Sequence, residues 1–159
     1  VQKVQIVCIG SLKENYWRQA CAEYEKRLRS FAQFSITELP ESRLPDSPSQ
    51  AQIDTALQKE GKHILSACGS GAVVPLCIEG REMDSPALAR FLQEAAVHDA
   101  GQVSFVIGSS FGLALQVKQA GRLRLSMSPM TFPHQLARVM LCEQIYRAYQ
   151  ILNHGKYHK

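Results

Sequence analysis

Apolar residues in this chain fall into short unbroken runs separated by longer stretches in which they recur three or four positions apart. Lys3–Gly10 (KVQIVCIG) is rich in β-branched residues and ends in glycine, which predicts a first strand. From Glu14 to Arg29, Trp17, Cys21, Tyr24 and Leu28 recur at spacings of four, three and four, as on one face of a helix. Phe34–Leu39 alternates and reads as a second strand. Pro40–Ser49 (PESRLPDSPS) holds three prolines, so it is expected as a surface loop, long enough to suggest mobility or contact with a partner. Ser49 and Gln52 have capping-box spacing and open a helix from Gln50 to about Ala67, closed by Gly69-Ser70-Gly71.

The second half continues the alternation. Ala72–Gly80 is almost wholly apolar, as expected of a parallel strand covered on both faces. Pro75 cannot donate to a ladder, so either the strand starts after it or its N–H side is unpaired. Asp84 as cap and Pro86 in the first turn lead a helix to about His98. Gln102–Gly108 reads as a buried strand, Ser109–Gly112 as a turn, Leu113–Ala120 as a short helix and Arg122–Met127 as the last strand. Pro133 suits the first turn of a final helix running to about Asn153, with Thr131 placed to help cap it and Gly155 to stop it.

Strands alternating with helices predict an α/β fold, a mainly parallel sheet flanked by helices, in one domain spanning residues 1–159. The final helix is apolar on most of its surface, through Leu136, Val139, Met140, Ile145, Tyr149, Ile151 and Leu152. Only a strip of Glu143, Arg147, Gln150 and His154 is polar. A helix of that kind is buried on nearly all sides, so it is expected to pack on its own sheet and on a second subunit.

Composition narrows the class. With 45% hydrophobic and 20% charged residues, the chain is neither a disordered nor a membrane-spanning type. The first ten residues read as a strand, so no signal peptide is expected. Five cysteines without a CxxC pair lie in apolar segments and are expected as buried reduced thiols, which points to the cytoplasm. The five histidines lack zinc-ligand spacing, and no metal is expected. The net charge of +4 is unevenly spread: from Val117 onward seven basic residues face Glu143 alone. That concentration suits a polyanionic partner such as nucleic acid, or else a solvated basic face.

Ligands in open α/β sheets sit beyond the carboxyl ends of the strands. Three such ends join apolar residues to small ones or bare backbone: Leu76–Gly80, Ile107–Gly112 and Met127–Phe132. Backbone groups there suit an adenine-like ring with a polar amino-acid tail. Neither GxxxxGK[ST] nor GxGxxG occurs. Gly108 and Gly112 alone fit a plain turn or a ligand loop, and the tail His154–Lys159 fits a frayed terminus or a group that meets a substrate.

Together, KENYWRQACAEYEKRL, EGKHIL, VIGSSFGL and above all MSPMTFPHQLARVMLCEQIYRAYQILNHGKYHK resemble the ribosomal RNA large subunit methyltransferase H family, a bacterial family of the SPOUT class, over essentially the whole length. The resemblance implies a C-terminal trefoil knot, a homodimer, and S-adenosyl-L-methionine as methyl donor. It further implies methylation of N3 of a pseudouridine in 23S ribosomal RNA on the assembled 70S ribosome, with no membrane partner. Matching motifs place cofactor contacts at Leu76, Gly108, Met127, Ser128, Pro129, Met130, Thr131 and Phe132, and set Tyr157, His158 and Lys159 at the target base. Where the family has a second glycine and a polar residue, this chain has Ser109 and Phe111. A Cβ at 109 is expected to crowd the cofactor if that residue needs positive φ or close approach. The alternatives are a non-catalytic RNA-binding factor with a spoiled pocket and a flavodoxin-like nucleotide enzyme.

N3 of pseudouridine must lose a proton to attack. His158 is the candidate base, Arg138 or Lys159 the candidate cation for the anionic ring, and Tyr157 the group that stacks on or orients it. Lys118, Arg122, Arg124, Lys156 and Lys159 are expected to hold RNA phosphates.

Overall fold

The computed structural model describes residues 1–159. Five strands, β1 (Lys3–Ile9), β2 (Gln33–Leu39), β3 (Ala72–Glu82), β4 (Gln102–Ile107) and β5 (Leu125–Ser126), form one sheet in the order β2-β1-β4-β3-β5, and every pair is parallel. The helices are α1 (Asn15–Leu28), α2 (Gln50–Cys68), α3 (Ser85–His98), α4 (Leu115–Ala120) and α5 (His134–Leu152).

Side chains alternate across a strand, and here the alternation divides two cores. Val4, Ile6 and Cys8 of β1 join Val103, Phe105 and Ile107 of β4 on the face covered by α1, α3 and α5. Val7, Ile9 and Val106 face the other way, against Ile64 and Cys68 of α2 and Val117 of α4. The inner strands are apolar on both faces for this reason. One polar seam crosses the second face: the Gln5 amide donates to Ser104 Oγ at 2.9 Å and to the Ala67 carbonyl at 3.0 Å, and Thr37 Oγ1 donates to Gln5 Oε1 at 3.0 Å.

The expected caps of α2 and α3 are present. Ser49 Oγ accepts from Gln52 N–H at 3.2 Å while Gln52 Oε1 accepts from Ser49 N–H, and Asp84 accepts from Ala87 N–H at 2.8 Å. Thr131 does not cap α5; Pro133 occupies that position without a side-chain bond. At its other end the left-handed residue is His154 (φ 57°) and not Gly155, whose N–H reaches the Gln150 carbonyl at 2.8 Å.

Pro75 lies inside β3. The Val73 carbonyl accepts from Arg122 N–H at 2.9 Å, so the alternate residue Pro75 turns its missing donor to the same side, before β5 begins. The final strand is only Leu125–Ser126, shorter than Arg122–Met127. Arg122 is drawn to Asp99, and Arg124 turns its guanidinium back to the Lys118 carbonyl at 3.0 Å. All five cysteines are free; four are buried and Cys77 is half-buried.

Candidate active site

The carboxyl ends of β3, β4 and β5 meet the start of α5 around one cleft of ≈ 660 Å³, within the range of small-molecule sites. Seven of the eight residues expected at the cofactor line it: Leu76, Gly108, Met127, Ser128, Met130, Thr131 and Phe132. Pro129 does not. Ser128 Oγ accepts from Met130 N–H at 3.0 Å, a tight turn that leaves the intervening proline exposed and off the lining.

Local backbone shapes the opposite wall. A Cβ on Gly108 would lie 2.3 Å from the Gly112 carbonyl oxygen, so only glycine allows that approach. Gly112 itself has φ +88°, and its N–H donates to the Ser109 carbonyl at 2.9 Å. Ser109 does not adopt positive φ, so the crowding expected of its Cβ on that ground does not arise. Phe111 is exposed beside the turn and is not part of the lining.

The third wall is a bulge. Leu76 and Arg81 both pair with Leu125, so Cys77–Gly80 loops out of β3 at the rim. Gly80 packs on the Arg124–Leu125 backbone, where a Cβ would meet the Arg124 carbonyl at 2.8 Å. Glu79, carried on the bulge, bonds Lys118 Nζ of α4 at 2.5 Å, and this contact holds its carboxyl below the usual carboxylate range. Lys118, expected on an open phosphate-binding face, therefore lines the cleft instead.

The candidate catalytic residues are not gathered there. Arg138 is buried in α5, its Nη1 on Glu38 at 2.6 Å and its Nη2 on the Gly10 carbonyl at 3.3 Å, beside a separate hollow that shares His134 with the cleft. Tyr157 and His158 fold back on α5. Tyr157 donates to Glu143 Oε2 at 2.6 Å, which, with burial, pushes its hydroxyl up to about 12. Burial pushes the Glu143 carboxyl up, but bonds from Arg147 and Tyr157 outweigh it and hold the group below the usual range. Arg147 Nη1 lies 3.2 Å from His158 Nδ1. A guanidinium can only donate, so Nδ1 is the acceptor and the ring proton sits on Nε2. Sequence reasoning placed Glu143 and Arg147 on a polar strip but missed them as the tail's partners. Their i, i+4 spacing was the one available signal.

Of the candidate phosphate contacts, Arg122 is taken by Asp99, whereas Arg124, Lys156 and Lys159 are exposed, with no ion pair. A further hollow of ≈ 690 Å³ lies under the proline loop, against Lys59 and His63 of α2. Only three of its twelve lining residues are hydrophobic, against ten of twenty in the cleft, so the cleft is the better match to an aromatic ring with a polar tail.

A parallel sheet with a backbone-rich cleft at the carboxyl ends of three strands and a loop leading into α5 defines an α/β class, and comparison identifies it. Residues 2–158 match the family described as "Predicted SPOUT methyltransferase", and the chain belongs to the SPOUT methyltransferases. It is 39% identical over 158 residues, 99% of both chains, to "Ribosomal RNA large subunit methyltransferase H" of Streptococcus uberis. In fold it is similar to the solved structure of a probable methylase family protein from Haemophilus influenzae, with a TM-score of 0.56, 14% identity, and coverage of 98% of this chain and 70% of the other.

Proposed function

We propose that this chain, as one domain, uses S-adenosyl-L-methionine to methylate N3 of a pseudouridine in 23S ribosomal RNA on the 70S ribosome, in the cytoplasm and as a homodimer. The observation that carries the reading is the convergence of three strand ends on one cleft whose donor set fits this cofactor: bare backbone and apolar side chains for a ring, one carboxylate and one ammonium at the mouth. The name of the Streptococcus uberis relative supports the ribosomal RNA substrate. Family membership implies the trefoil knot, and the packing of α5 back against α1 and α3 is consistent with it.

Bound in the cleft, the donor supplies an electrophilic methyl on a sulfonium, and transfer is a direct displacement. The chain's part is alignment and exclusion of water. Leu76, Gly108, Met127, Ser128 and Met130–Phe132 would hold the ring, and Ile78 and Met130, both exposed at the mouth, would shed water once covered. Tyr157 orients the target base. His158 takes the N3 proton at Nδ1, which requires the tail to leave Arg147. Lys159 steadies the anionic ring; Arg138 has its charge matched by Glu38.

No tail residue lines the cleft of its own chain. The half-buried Leu136 and Met140 continue the stripe of Glu143 and Arg147 on α5, an apolar strip beside the docked tail. In the proposed dimer this strip is covered by a second copy, whose tail reaches this cleft. Incubation with ribosomes lacking the modification and labelled donor, followed by mapping of the labelled nucleotide, tests the reading. His158→Ala is expected to reduce turnover far more than cofactor binding; label at no pseudouridine, or in another RNA, refutes it.

A further inference from the structure

Two formal charges line the cleft, the Glu79 carboxylate and the Lys118 ammonium, and they are paired with each other at 2.5 Å. Their settings differ. Glu79 stands on the bulge of β3, and its side chain is 56% exposed; Lys118 stands on α4 and is 25% exposed. Both supports are firm. The Lys118 carbonyl accepts from Arg124 Nε at 3.0 Å and from Gly121 N–H at 3.2 Å, and Arg81 N–H closes the bulge on the Arg124 carbonyl at 2.8 Å. A part-exposed ion pair contributes little to folding, so holding the bulge in place does not by itself require one.

The chemistry of methyl transfer supplies a role. The donor carries a sulfonium; the product carries a neutral thioether in its place and so has one positive charge fewer. A cleft whose lining holds a single carboxylate attracts the donor more than the product, and the ammonium paired with that carboxylate opposes the preference. We propose that the Glu79–Lys118 pair sets the preference of the cleft for cationic donor over neutral product, with Glu79 strengthening it and Lys118 holding it low enough for exchange. The inference rests on the proposed function and adds to it two residues that position charge, neither of which need touch the reacting atoms.

The signature is a pair of opposite signs. Calorimetric titration of the full-length protein with S-adenosylmethionine and, separately, S-adenosylhomocysteine gives the ratio of the two dissociation constants. Glu79→Gln leaves an unpaired cation and is expected to weaken donor binding about threefold to tenfold, with product binding changed less than twofold. Lys118→Met leaves an unpaired anion and is expected to move the ratio the other way by a similar factor. Both shifts should shrink at high salt, where charges in a solvated cleft are screened. A pair that merely staples the bulge predicts that both variants weaken both ligands alike; that result, or an unmoved ratio, overturns the inference and leaves the proposed function standing. Wild-type protein that binds neither ligand removes both.

Discussion

The Arg138–Glu38 pair tests whether a residue expected at the reaction serves the fold instead. The two side chains meet at 2.6 Å but are unequally buried, Arg138 at 6% exposure and Glu38 at 42%. At about 4 Å between charge centres and an effective dielectric of about 20, their gross attraction is about 4 kcal/mol. Taking the guanidinium out of water offsets most of that. The cost of removing either partner therefore depends on what is left behind. Glu38→Ala strands a buried guanidinium with the Gly10 carbonyl as its remaining acceptor, and also removes the acceptor of Leu12 N–H. A loss of about 3 kcal/mol is expected, the scale for an uncompensated buried charge. Arg138→Met leaves a carboxylate that water can reach, and fills the site with an apolar chain of similar length. Its cost should be about 1 kcal/mol or less. Urea denaturation of both variants and the double variant measures the asymmetry and the coupling. If Arg138→Met costs as much as Glu38→Ala, the reasoning from burial fails. If Arg138→Met keeps its stability but loses methyl transfer, the guanidinium acts on the substrate after all.

Gly108→Ala should destabilise the protein by about 1–3 kcal/mol and weaken cofactor binding at least tenfold, since the new methyl meets the Gly112 carbonyl and forces the turn open; unchanged calorimetric affinity would show that the turn does not shape the cleft. Among five thiols, Cys77 should react first with an aromatic disulfide reagent, because the other four are buried, although partial burial pushes its own thiol up and slows it below a free cysteine; bound cofactor should protect it since it lines the cleft. The Tyr157 hydroxyl, raised from 10.0 to about 12 by Glu143 and by burial, holds its proton more firmly in the docked tail than in a free one. The contribution of this bond to docking is therefore fully present below about pH 10 and lost as pH rises through about 12; ultraviolet titration should show one fewer late-titrating phenol in Tyr157→Phe, leaving that of Tyr149, whose hydroxyl burial also pushes up. Arg124→Ala should lower the slope of log affinity for ribosomal RNA against log salt by about 0.7–0.9, one phosphate contact, where a buried structural arginine would leave it unchanged.

How much of this was legible beforehand depends on the range of the forces involved. Strands and helices were readable because periods of 2 and 3.6 are local properties, and the Ser49–Gln52 box and the Asp84 cap because they close within four residues. The short β5 was overextended, since Arg122 and Arg124 are turned aside by Asp99 and Lys118, which no neighbouring residue announces. The cofactor residues were reached through family resemblance, and their meeting in one cleft depends on the sheet order, which places β4 beside β3 and β3 beside β5.

The sequence by itself therefore determined the elements, the parallel α/β architecture and the kind of surface at each strand end, because these follow from backbone sterics and the spacing of apolar side chains. Only the tertiary structure decided which charges meet. Glu38 and Arg138 are a hundred positions apart, and Glu79 and Lys118 thirty-nine. Pairing between side chains on different elements is set by how helices and strands stack, and that packing has no local trace.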